Sequence, residues 1–127
     1  MNIRIELARL IREGLDAAGS KSWTVFPHGI TLDNPLSSVV VIRQTSLKRT
    51  PGAPRLYQDV TLLVALVEPG LDPAKVEDAL DTDLDTLVDV LESVPMPGLI
   101  WTSADRALYD DRFNGYDIAV TITTERD

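Results

Sequence analysis

The stretch DTDLDTLVDVLE, Asp81 to Glu92, carries acidic side chains where a calcium-binding EF-hand loop places its oxygen ligands. Asp81, Asp83, Asp85 and Glu92 match the carboxylates at loop positions one, three, five and twelve, and Asp89 falls at position nine. The same loop needs a glycine for its sharp turn, and Thr86 stands there, while Leu84 and Leu87 occupy positions that are normally polar. Wound as a helix at roughly 100° per residue, the segment instead gathers Val76, Leu80, Leu84, Leu87, Val88, Leu91 and Val94 on one apolar stripe. Glu77, Asp78, Asp81, Asp85, Asp89 and Glu92 then fall on a neighbouring arc, with Asp83 at the opposite margin of the stripe. Carboxylates that diverge cannot share an ion, so the spacing predicts a helix and no metal site.

The remaining candidates for chemistry are sparse. The one histidine, His28 in FPHG, has no serine or carboxylate at a recognisable catalytic spacing and reads as a turn residue. Asp110, Asp111 and Asp117 crowd around Arg112 in YDDRFNGYD, where paired carboxylates suit acid-base or metal work. The Asn114-Gly115 dipeptide inside it favours a hydrated hairpin turn instead. Glycine-rich phosphate loops and the G-x-S-x-G elbow are missing, and a chain without cysteine has neither disulfides nor thiolate chemistry. No catalytic residue, metal ligand or cofactor is expected. Trp23 and Trp101 suit either a core or an interface.

The elements that would position these groups are easier to read. NIRIELARLIREGLDAAG spaces Ile3, Leu7, Leu10, Ile11, Leu15 and Ala18 along one helical face, with Asn2 as N-cap and Gly19 as stop. Gly14 interrupts that face, which predicts close approach to another backbone, with the helix lying on a sheet. WTVFPHGI, SSVVVIRQ and LYQDVTLLVALV read as strands. In the third, Val60, Leu62, Val64 and Leu66 oppose Leu63, Ala65 and Val67, so both faces need cover and the strand should be central. Asp72 as N-cap, Pro73 at the first helical position and Pro95 beyond the end bound the acidic helix, and two further strands follow, the last alternating Ile118, Val120 and Ile122 with Ala119, Thr121 and Thr123. The expectation is one α+β domain over residues 1–127, of order α-β-β-β-α-β-β, with about five mostly antiparallel strands and two amphipathic helices on one face.

Charge and hydropathy narrow the partners. A net charge of −8 argues against general nucleic-acid binding, and Asp72 to Val94 alone holds eight acids against one lysine. With no signal-peptide pattern and no membrane-length apolar run, a cytosolic origin and no membrane partner are expected.

The layout, with its short helix IELARLIREGL, the hairpin VVVIRQTSLKRTPGAPRLYQDVTLLVALV, the acidic helix DPAKVEDALDTDLDTLVDVLESV and the closing WTSADRALYDDRFNGYDIAVTITTE, resembles the tail terminator proteins, minor tail protein U type, of long-tailed bacteriophages. The resemblance covers nearly the whole chain and implies a structural protein with no catalytic residues. It implies a ring, usually a hexamer, that sits at the head-proximal end of the tail tube, ends tube polymerisation and offers a surface to the head connector or stopper protein. It also implies a place in the virion tail and, during assembly, in the host cytoplasm. Leu63 and Val67, on the sheet face that the helices leave uncovered, are candidate subunit contacts, and Trp101 is a third as an aromatic that suits an interface. Arg43, Lys48, Arg49 and Arg55 fall in a segment without acids that reads as a long loop, since Pro51, Gly52 and Pro54 disfavour regular pairing, and they are candidates for touching the tail tube or DNA passing through the channel. Rival readings are another neck or head-tail joining component, or a small α+β enzyme or ligand-binding protein.

Overall fold

A computed structural model describes residues 2–19, 21–30, 32, 37–49, 57–70 and 72–125. The elements follow the order α1 (Ile3–Ala18), β1 (Trp23–Phe26), β2 (Ser38–Arg49), β3 (Tyr57–Glu68), α2 (Pro73–Ser93), β4 (Leu99–Tyr109) and β5 (Phe113–Glu125). The strands form one mixed sheet in the order β1-β2-β3-β5-β4, antiparallel throughout except for the parallel β1–β2 pair. β3 is central, as its two apolar faces require. β5 lies between β3 and β4, so β3 and β4 run parallel and α2 makes the crossover that such a pair needs.

Both helices begin at the predicted caps. The Asn2 side chain accepts from Ile5 N at 3.1 Å, Asp72 accepts from Ala74 N at 3.1 Å, and Gly19 closes α1 in the left-handed region. Under them lies the main core, where Leu7, Ile11 and Leu15 of α1 and Leu80, Leu87 and Leu91 of α2 meet Val60, Leu62, Val64, Leu66, Ile118, Val120 and Ile122.

Three expectations need correction. A Cβ on Gly14 would stand 2.6 Å from Val90 Cγ1, so the glycine admits a side chain of α2 rather than a strand backbone. Because α2 rests on α1 as well as on the sheet, its buried stripe is Val76, Leu80, Asp83, Leu87, Val90 and Leu91, and Val88 is only half-buried. The β4–β5 turn lies at Asp110 and Asp111, both at positive φ, with Arg112 N donating to Tyr109 O at 3.0 Å. Asn114 and Gly115 belong to β5 instead. A Cβ on Gly115 would come within 2.0 Å of Leu66 O, so the close approach of β5 to β3 is what requires a glycine there.

Candidate functional site

The second sheet face is divided. At one end Val39, Val41, Ala65 and Val67 form a smaller core that Leu32, Phe26, Ile30, Tyr109 and Phe113 close over. Tyr109 fastens this cover by accepting from Ile30 N at 3.1 Å and donating to Ile30 O. Val67 is therefore fully buried by its own chain, which corrects its assignment to an uncovered face. Leu63 is half-buried beyond the cover's reach. Trp101 is half-buried beside α2, where its Nε1–H donates to Glu92 Oε1 at 3.1 Å.

Beyond the cover the face stays open. Register places Arg43, Leu63 and Ala119 side by side, then Thr61, Thr121 and Ile100 in the next layer. Ile100 is 64% exposed. Between cover and open face lies a polar cleft of about 410 Å³ lined by Gly29, Ile30, Arg43, Tyr109, Asp110 and Asp117. Burial raises the pKa of Asp117, a trend the Arg43 charge opposes and Asp105 reinforces.

The basic segment is strand rather than loop over much of its length. A bulge between Gln44 and Ser46 lets pairing continue to Lys48↔Asp59 and Arg49↔Gln58, so Arg43, Lys48 and Arg49 are exposed residues of β2. Arg43 stands over the open face, Lys48 and Arg49 alternate across the strand near its end, and Arg55 lies outside the described residues, as do Pro51, Gly52 and Pro54.

The acidic stretch is helical, as its spacing predicted. Asp81, Asp85 and Asp89 are exposed, Asp83 points inward, Glu92 holds Trp101, and no group of three or more ligating side chains occurs among the described residues. His28 is exposed, with Nδ1 3.0 Å from Gly29 O.

One cluster was not anticipated. Lys21, just after α1, reaches between sheet and α2 to pair with Asp83, and its Nζ lies 2.6 Å from Ser38 Oγ. Ser38 Oγ is 2.9 Å from Asp83 Oδ2 and 2.8 Å from Glu68 Oε2, and all three residues are buried. Burial, a hydrogen bond to Asp83 and the Asp83 charge push Glu68 up to about 7, against the pull of Ser38 and Lys21. A lysine beside a serine can serve as general base, but this ammonium is held by a carboxylate and the hydroxyl is closed off from solvent. The arrangement ties β2, β3, α2 and the end of α1 together. Its sequence signal was slight: Asp83 falls in register with Leu80 and Leu87, a polar residue on an apolar stripe.

No known family model matches the chain, and no characterised protein matches it in sequence.

Proposed function

We propose that this chain is a structural subunit of the tail-terminator kind, forming a ring on the head-proximal end of a phage tail tube, halting its growth and presenting a surface to the head connector. The observation that carries this reading is the unevenly covered second sheet face. The chain buries Val39, Val41, Ala65 and Val67 with its own segments yet leaves Leu63 and Ala119 half-exposed beside the exposed Ile100. A sheet face carrying apolar residues in the open suits burial by another subunit. The exposed basic end of the β2–β3 hairpin, remote in charge from the acidic helix, gives the subunit distinct surfaces for distinct neighbours: Lys48, on the open-face side, for the tube or passing DNA, and Arg49 on the other.

Leu63→Asp tests the reading by sedimentation and tube binding. The variant should remain folded, losing about 1 kcal/mol of monomer stability, and fail to assemble on tubes. Ile100→Asp, at a more exposed position, should do the same with no measurable loss of stability. Both variants assembling as the unsubstituted chain does would refute the assignment of this face.

A further inference from the structure

On the helix side, an open groove of about 590 Å³ runs between the start of α1 and the far half of β2 and β3, lined by Ile3, Arg4, Gln44, Leu47, Gln58 and Val60. Leu47 is 56% exposed. Arg49 shares the Leu47 face of β2, and its strand partner Gln58 lines the groove. Arg4 stands in the first turn of α1, where the helix dipole disfavours a cation, and among the described residues no acid pairs with it, since Glu6 is taken by Arg9. The groove is thus a largely polar surface in which Leu47 stands exposed and Arg4 and Arg49 make no ion pair among the described residues.

The opposite condition holds on α2. Asp78, Asp81, Asp85 and Asp89 form one exposed stripe with no ion pair among the described residues, whereas Glu77 is paired with Arg106. Like charges at this spacing repel by about 0.2–0.5 kcal/mol per pair. Leu84 and Val88, half-buried, run beside the stripe. Stripe and groove each carry unpaired charge of one sign beside an accessible apolar side chain, and the signs are opposite.

We infer that the outer face of α2 in one copy docks in the α1–hairpin groove of the next, Asp81, Asp85 and Asp89 meeting Arg4 and Arg49 while Leu84 and Val88 cover Leu47. The occupant is a second copy of this chain because charge and apolar pattern are complementary between two different surfaces of the same molecule. Such a contact is head-to-tail and closes into a ring when the rotation per subunit allows. The inference rests on the ring reading and adds a subunit contact on the helix side to the one proposed for the open sheet face.

Charge reversal tests it, with sedimentation at low ionic strength as the readout and circular dichroism as the check on folding. Arg4→Glu with Arg49→Glu, or Asp81→Lys with Asp85→Lys, should each weaken self-association by about 100-fold or more, and a chain carrying all four substitutions should regain it. Should the lysine variants misfold, Asp81→Asn with Asp85→Asn reads the same contact more mildly. Self-association of wild-type strength in both reversal variants overturns this contact and leaves the ring reading standing. A wild-type chain that stays monomeric in solution and binds tubes only as isolated copies overturns both.

Discussion

Asp83 and Glu68 meet at one buried hydroxyl with Lys21 as the one cation beside them among the described residues, so the cluster has more negative than positive charge to satisfy. Near neutrality the excess is relieved by a proton on Glu68, whose pKa stands at about 7 rather than 4.5, chiefly through burial. A raised folded-state pKa favours the folded state fully below about 4.5, and that contribution fades as pH rises through about 7. Chemical denaturation between pH 5 and 8 should therefore show stability falling with pH, and Glu68→Gln should flatten the curve and be the more stable protein at the alkaline end. Parallel curves for the two proteins would refute the assignment of that proton. Lys21→Ala strips the buried Asp83 of its cation and should cost about 2 kcal/mol, moderated by the partial exposure of the lysine.

At the scale of elements, two glycines set how closely neighbours approach. Gly115→Ala drives a Cβ into Leu66 O across the β5–β3 pair and should cost about 3 kcal/mol in thermal or urea unfolding. Gly14→Ala gains helix propensity but collides with Val90, so it should destabilise the wild type and be tolerated in a Val90→Ala background, a coupling of about 1 kcal/mol in a double-mutant cycle. Additive effects would mean the two helices do not meet there. The elements themselves were legible because each signal was local: Asn2 and Asp72 as caps, alternation along β3, the apolar stripe of α2. What was not legible depended on partners distant in sequence. Val90 and Asp83 are buried because α1 and Lys21 lie over them, and Asn114-Gly115 carries a turn signature while packing needs its glycine inside a strand. Val67 has the same alternation as Leu63, and what covers one and not the other is the placement of Phe26, Ile30, Leu32, Tyr109 and Phe113, all distant in sequence from both.

Across the whole molecule the open sheet face, the basic residues near the end of β2 and the acidic face of α2 are separate surfaces, and the proposed function gives each of them its own neighbour. On the proposed ring reading, the protein should occupy the end of a tail tube and nowhere along its side. The most direct test is to titrate the 14.0 kDa chain onto purified tail tubes of two different lengths and count the copies bound at saturation. The ring reading predicts the same number on long and short tubes, about six for each tube, all at one end. Copies that increase in proportion to tube length, or no saturable binding at all, would contradict it.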